Sequence, residues 1–305
     1  MTGESAYGTP WRSLDEGDLP AVAELAAACL TADGGQPYAA DPGFLRGWYL
    51  GGALTRGLFD GGNLVCATSV RRVVPDSAAA LGATAWTTGL VHPSWRRRGA
   101  GGKAFGWARE QAGGTGLLCA DTEMLTDGAH ALYLGSGMSL MFAEDVMRLP
   151  APVPAPPAPE PGGGLVLSRW GEADPARFHA VYTGAFRERP GFPAEPLARW
   201  TEWVTGDEDF RPEWTLLATL DGADAGFVIG EADGWIAKLG VLPAARGRGL
   251  GAYLMTEAIR RMRAGGETVI TLNVNVNNPN AIALYRRLGF THTGRRARYV
   301  QVPPS

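Results

Sequence analysis

The chain reads as a mixed α/β protein built twice over, and three observations predict this. A proline-rich run, PAPVPAPPAPEPGGG from Pro150 to Gly164, divides it near the middle. Proline at that density favours an extended spacer and ending in glycines adds a swivel, so the run is expected to be a linker. The same strand, Arg/Gly loop and helix pattern stands on either side of it. Each half also mixes hairpin strands with amphipathic helices, the order of an α/β fold with a mixed sheet.

Composition sets the outer limits. The 305 residues carry 45% hydrophobic and 19% charged side chains, enough for two domains of about 150 residues with ordinary cores. A net charge of −3 gives no general attraction to nucleic acid or anionic membrane. Cys29, Cys66 and Cys119 form neither a disulfide framework nor a zinc pattern. The polar, acidic opening stretch does not read as a signal peptide, and no apolar run approaches the ~20 residues of a membrane helix. These readings predict a cytoplasmic protein without nucleic-acid or membrane partners, as a monomer or homodimer.

The second half, 165–305, is expected to open with strand LVLSRW and a helix around PARFHAVYTGAFRE. Strands EWTLLATLDG and AGFVIGEADG follow, joined by a short Asp-Gly-Ala-Asp turn. Strand WIAKLGVLP leads to a helix from Leu250 whose apolar face is Leu250, Leu254, Met255, Ala258, Ile259 and Met262. Strand TVITLNVNV, helix NAIALYRRLG and two short strands, FTHTG and ARYVQV, complete it. The first half, 1–149, matches this order, with NLVCATSVRRVV and LGATAWTTGLVHP as middle strands. Both halves contain R-x-x-G-x-G, as Arg96, Gly99, Gly101 and Arg246, Gly249, Gly251. Arg246 follows Arg96 by 150 residues, and Tyr285 follows Tyr133 by 152, so two motifs recur in order at nearly constant spacing. That is the mark of a tandem duplication.

A strand that ends in glycines and opens a helix presents unpaired backbone N–H groups at the positive end of the helix dipole, which suits a phosphate. Glycine permits close approach and positive φ, and arginine adds charge. No Gly-Lys-Ser/Thr follows, and the glycines do not form the dinucleotide fingerprint. The full pattern is V-x-P-x-x-R-x-x-G-x-G-A, then a helix, a strand, and Asn278, Ala281, Leu284, Tyr285, Gly289, Phe290. It resembles the GNAT N-acetyltransferase superfamily over nearly all of 165–305 and more loosely over 10–150. The two-domain plan resembles mycothiol-synthase-like tandem acetyltransferases.

The resemblance implies two tandem GNAT domains and an acetyl-CoA-dependent N-acetyltransferase acting on a small-molecule amine by direct attack in a ternary complex. It makes acetyl-CoA the co-substrate. Its pyrophosphate maps onto Arg246, Gly247, Arg248, Gly249, Leu250, Gly251 and Ala252, and its pantetheine arm onto Leu239, Gly240 and Val241. Asn278 falls where the family contacts the cofactor, and Tyr285 where it often places the acid for the departing thiolate. A second cofactor site maps onto Val91, Arg96, Arg97, Arg98, Gly99, Ala100, Gly101 and Tyr133. The alternatives are another acyl donor (a longer acyl-CoA, a carrier-protein thioester or an aminoacyl-tRNA) and a CoA-binding module without turnover.

The two places where the family keeps a base hold Trp235, 11 residues before Arg246, and Asn273, five before Asn278. Neither accepts a proton. The remaining acids near the site are Glu231 and Asp233, with Glu188, Asp207 and Glu208 in the segments that shape the acceptor pocket. The first half departs differently: Thr126 stands for the asparagine and Gly137-Met138 for Gly-Phe, while Asp121 occupies a base position. The first half is therefore expected to be the weaker copy. Trp200, Trp203, Phe210 and Trp214 form an aromatic group that suits either an acceptor wall or plain packing.

Overall fold

The computed structural model describes residues 11–72, 82–113, 117–151, 161–162, 164–189, 192 and 195–301. Most of the proline-rich stretch, 152–160, lies outside them, as does residue 163. The chain forms two compact units, the first made of Met1–Val146 with Thr293–Ser305 and the second of Met147–His292. By this division residues 293–301 group with the first unit and residues 147–149 with the second, whereas the sequence places the boundary at the proline-rich run.

In the first unit a short strand β1 (Trp11–Arg12) precedes helices α1 (Leu19–Asp33) and α2 (Pro42–Tyr49). Strands β2 (Leu54–Asp60), β3 (Asn63–Arg71) and β4 (Ala83–Val91) form an antiparallel meander. Gly61 and Gly62 both take positive φ, the requirement of a two-residue hairpin whose twist suits its strands. Helix α3 (Ala100–Ala112) carries the chain to β5 (Leu117–Thr122), parallel to β4, and α4 (Asp127–Gly135) follows. Strand β3 is buried on both faces along most of its length. One side packs on α1 and α2 through Leu25, Leu45, Leu64 and Ala67; the other packs on α3 through Val65, Cys66 and Ala104.

The unit is completed by β12 (Thr291–Gln301), whose Ala297–Val300 pair antiparallel with Thr122–Cys119 of β5. Two short strands were expected here, and one continuous strand is found. Gly294 makes this compatible with the end of α1: it sits at φ 146°, and a Cβ there would lie 2.0 Å from the Gly35 nitrogen. The approach is fixed by the Gly35 N–H donating to the Thr293 carbonyl at 3.0 Å.

The second unit repeats the plan. Strand β7 (Val166–Arg169) and helices α5 (Pro175–Phe186) and α6 (Leu197–Thr205) precede the meander β8 (Leu216–Leu220), β9 (Ala223–Glu231) and β10 (Trp235–Val241). Asp221 and Gly222 again both take positive φ. Helix α7 (Leu250–Ala264), parallel strand β11 (Val269–Asn275) and α8 (Pro279–Arg287) follow. Beside β11 runs the end of β6 (Met138–Pro150), whose Met147 and Leu149 enter the second unit's core. The expected apolar face of α7 is buried at all six positions, and at about 1.5–3 kcal/mol for each large side chain this docking outweighs helix propensity.

The tryptophan group disperses. Trp200 is 1% exposed in the core between the sheet, α5 and α6, and Trp214 lies in the core on the α7 side. Only Trp203 is open to solvent, with Lys238 Nζ 5.5 Å from its ring centroid. Packing rather than an acceptor wall explains Trp200 and Trp214.

Candidate active site

The site in the second unit begins where two strands part. Parallel pairing of β10 with β11 covers Trp235 against Thr271 and Ile236 against Leu272. Beyond Ile236, β10 keeps its other neighbour β9 as far as Val241, with a register shift between Ile236 and Lys238. Among the described residues no pairing joins 237–241 to β11. The backbone edge of Leu239, Gly240 and Val241 therefore borders a gap, and backbone polar groups in such an edge need partners. Gly240 keeps the gap's floor low: a Cβ there would lie 2.5 Å from Phe227 Cε1 and 3.0 Å from Ala185 Cβ.

At the end of β10, Pro243–Ala245 make one tight turn, and Gly247 and Gly249 take φ 79° and 83°. Gly249 caps α7 without a side-chain acceptor, and the first helical bond from this end is Tyr253 N–H to the Gly249 carbonyl at 3.1 Å. The N–H groups of Leu250, Gly251 and Ala252 precede that ladder, at the positive end of a 15-residue helix. The first turn lies against Leu284 and Val241, where a Cβ on Gly251 would make only ordinary contacts, at 3.6 Å to Leu284 Cδ2 and 3.7 Å to Val241 Cγ2.

The arginines divide their labour in a way the sequence did not indicate. Arg246 turns back into the protein: Nε donates to the Val241 carbonyl at 3.2 Å, Nη2 to the Ala185 carbonyl at 3.2 Å, and Nη1 to Glu188 at 2.9 Å. Its bonds to the two carbonyls make its side chain shape the loop rather than face an anion, while its contact with Glu188 is an exposed surface pair. Arg248 pairs with Asp221 at 3.0 Å, both largely exposed. A surface pair of this kind is worth about 0–1 kcal/mol, so Arg248 can exchange its partner for an anion at little cost.

Asn278 caps α8, its Oδ1 accepting the Ala281 N–H at 3.2 Å. Tyr285 is buried in the cluster that holds Leu250, Leu272 and Val274, and burial pushes its phenol up to about 12, so it stays a donor at neutral pH.

Strand alternation sets the face toward α5 and α6. Phe227 and Ile229 of β9 pack there, so Glu231 projects the same way. Trp235 is its direct cross-strand partner. Glu231 thus stands beside the position where a base was expected. Burial pushes its carboxyl up to about 7, with Asp207 and Asp209 adding to the shift and Lys238 opposing it. The signal was present in the hairpin: the three-residue connection Ala232-Asp233-Gly234 brings Glu231 and Trp235 opposite one another. Asn273 of β11 alternates with the core residues Leu272 and Val274, and its Oδ1 is buried without a hydrogen-bond partner. An acceptor left in this state costs about 1–3 kcal/mol until an N–H reaches it, so it fits a ligand carrying an amide or amine.

The first unit repeats the loop with other residues. Pairing of β4 with β5 stops at Thr87 and Ala120, and Val91 ends the strand. Arg97, although not a glycine, takes φ 63°, Gly99 takes φ 83°, and Ala100 opens α3. A Cβ on Gly101 would meet Val91 Cγ2 at 3.5 Å and Leu132 Cδ2 at 3.7 Å, the surroundings of Gly251 again. Arg96 donates from Nε to the Val91 carbonyl at 3.2 Å and from both Nη atoms to Asp33 at 2.6 and 2.5 Å. Arg98 lies 4.9 Å from the Trp95 ring centroid. Thr126 caps α4 as Asn278 caps α8, with Oγ1 accepting the Ala129 N–H at 3.1 Å. Tyr133 is buried against Phe105 and Tyr299, which raises its pKa. Asp121 is held by two bonds from Arg298, at 2.8 and 3.0 Å.

Comparison with known proteins agrees with this geometry. The model of the Acetyltransferase (GNAT) family matches residues 177–290. A protein of Thermobispora bispora named mycothiol acetyltransferase is 31% identical over 295 residues, covering 90% of this chain and 93% of its own. The crystal structure of a GCN5-related N-acetyltransferase from Sphaerobacter thermophilus, 25% identical, superposes with a TM-score of 0.73 over 97% of this chain and 96% of its own. A tandem GNAT protein from the clavulanic acid biosynthesis pathway, 21% identical, shares the fold with a TM-score of 0.58 over 97% of this chain and all of its own. The chain belongs to the GNAT acetyltransferase family and is a tandem N-acetyltransferase.

Proposed function

We propose that the second unit transfers the acetyl group of acetyl-CoA to a primary amine of a small molecule, with both substrates bound together. The observation that carries this is the strand gap itself: it opens beside a glycine-capped helix N-terminus and presents Glu231 on the face toward α5 and α6. Residues 247–252 would hold the pyrophosphate by backbone N–H groups, with Arg248 adding charge. The free edge of Leu239, Gly240 and Val241 would pair with the pantetheine arm. An N–H of that edge would stabilise the charge developing on the thioester oxygen. Relatives named mycothiol acetyltransferase support a small-molecule acceptor.

Glu231, with a carboxyl near 7, takes the first proton from the substrate ammonium. The nitrogen lone pair then forms the C–N bond as the C–S bond breaks, and the sulfur leaves with its electron pair. Tyr285 donates a hydrogen bond to that sulfur. A phenol near 12 is a weaker acid than a thiol of about 8.5, so Tyr285 stabilises the thiolate rather than surrendering its proton outright. The second nitrogen proton, released as the amide forms, completes the thiol.

Thiol release from acetyl-CoA against a panel of primary amines tests this reading. Glu231→Gln should lower kcat/KM by about 10²–10⁴-fold and remove an acidic limb near pH 7. No turnover with any amine, or an unaffected Glu231→Gln, would sink it.

A further inference from the structure

We propose that the acceptor of the second unit is a zwitterion: a small primary amine whose far end is a carboxylate held by Arg148, with an amide N–H between the two taken by Asn273. The inference deepens the reading of the second unit and rests on it.

Strands β9, β10, β11 and β6 lie side by side in the sheet. Glu231 of β9 is the cross-strand partner of Trp235 in β10, and Trp235 pairs with Thr271 of β11. Strand β6 ends where β11 begins, the Ala151 N–H donating to the Thr268 carbonyl at 2.8 Å, so these two strands run antiparallel. Counting three residues from that bond along each strand sets Arg148 opposite Thr271. Met147 and Leu149, on either side of Arg148, enter the core on the α7 side with Ile270 and Leu272. Arg148 therefore points to the other face, as Thr271 does. One row across the sheet reads Glu231, Trp235, Thr271, Arg148, with an acid at one end and a guanidinium at the other.

The protein leaves the basic end of this row unanswered. Arg148 is partly buried, its Nε is buried without a hydrogen-bond partner, and among the described residues it forms no ion pair. By contrast Arg295, Arg296 and Arg298 of β12 each hold a carboxylate. A buried donor without an acceptor is costly, and a guanidinium kept in that state fits an anion that arrives with a ligand. Its single charge and planar fork match a carboxylate better than a phosphate dianion. At the other end Asp207 and Asp209 add negative charge around Glu231, which suits an ammonium.

Asn273 supplies an independent observation. It stands two residues beyond Thr271 on the same face, the first residue of β11 past the last pair with β10. Its buried, unpartnered Oδ1 thus borders the gap between Glu231 and Arg148, where an N–H of the acceptor would satisfy it. With neighbouring strands about 4.8 Å apart, the backbones at the two ends of the row are about 14 Å apart. An extended tripeptide spans about 10 Å, and the two side chains reaching inward close the remainder. The transfer step itself is the one already described.

The test compares thiol release from acetyl-CoA with triglycine, triglycinamide and 8-aminooctanoate as acceptors, in wild type, Arg148→Gln and Arg148→Lys. Wild type should favour triglycine over triglycinamide by about 10–100-fold in kcat/KM, expressed in KM, and over 8-aminooctanoate, which lacks the amide N–H, by about 10-fold. Arg148→Gln should bring the carboxylate-to-amide ratio close to one, and Arg148→Lys should restore part of it. Equal use of triglycine and triglycinamide by wild type, or a preference that survives Arg148→Gln, overturns the proposal while leaving acetyl transfer intact. Titration calorimetry with N-acetyltriglycine reads the same subsite without turnover. Binding weakened at least about 10-fold by Arg148→Gln supports it even if no amine is acetylated, in which case only the transfer reading fails. Absent or unchanged binding overturns it.

Discussion

Glutamine in place of Glu123 should change how stability depends on pH. In the folded chain burial raises this carboxyl from 4.5 to about 7, so between those values the folded state holds a proton that the unfolded state has lost. Stability at this site is therefore fully present below the unfolded pKa and falls as pH rises to about 7, beyond which it is flat. From about pH 5 to about pH 8 the linkage relation gives a loss of roughly 2.5 kcal/mol. The side chain is only 15% exposed, so solvent screening takes little from that figure. Glutamine keeps the shape, cannot ionise and removes the slope. Urea unfolding of both proteins at the two pH values measures the difference directly, and other titrating groups cancel in the subtraction. The variant should gain on wild type by about 2.5 kcal/mol as pH rises across this range. A stability difference that is constant within about 0.5 kcal/mol would refute the claim that Glu123 is buried without adequate compensation.

Three further substitutions probe the scaffold. Gly240→Ala places a methyl 2.5 Å from Phe227 Cε1, so thermal unfolding should show a loss of about 1–3 kcal/mol and the affinity for acetyl-CoA should fall with it. Arg97→Gly relieves a left-handed residue, and chemical denaturation should show a gain of up to about 1 kcal/mol; a clear loss would mean that the Arg97 side chain holds the loop. Arg96→Ala strips Asp33, a side chain 10% exposed, of its bidentate partner, and a fall of about 2 kcal/mol in unfolding free energy is expected. The same variant should loosen the first loop, seen as faster amide exchange at residues 97–101.

What the sequence revealed depended on the range of the interaction. The Arg/Gly loops were legible because their constraint is local: positive φ at Gly247, Gly249 and Gly99, and a helix that follows at once. The buried face of α7 was legible for the same reason, since a 3.6-residue period reports which side docks. Long-range pairing was not. Arg246 reads as an anion ligand until the fold brings Ala185 and Glu188 to it, 61 and 58 residues away in sequence. Asp121 reads as a base until Arg298, 177 residues distant, is found on both its oxygens. Glu231 reads in the sequence as one of several acids near the site, and only the hairpin pairing sets it apart, opposite Trp235 and reaching the same face from β9. Nothing local marked Glu123, whose burial only tertiary structure creates.

The passage of residues 293–301 into the first unit has a consequence for biosynthesis. On the ribosome, strands β1 to β5 emerge long before β12, and the whole of the second unit must be made in between. The first unit therefore cannot complete its sheet as it is translated, and β5 waits with an edge that would otherwise invite wrong pairing. The second unit lies within a closed chain segment and needs nothing translated later. Its expected order of maturation is thus the reverse of the order of synthesis, and a stalled chain ending before residue 293 should yield a folded second unit joined to an incomplete first one.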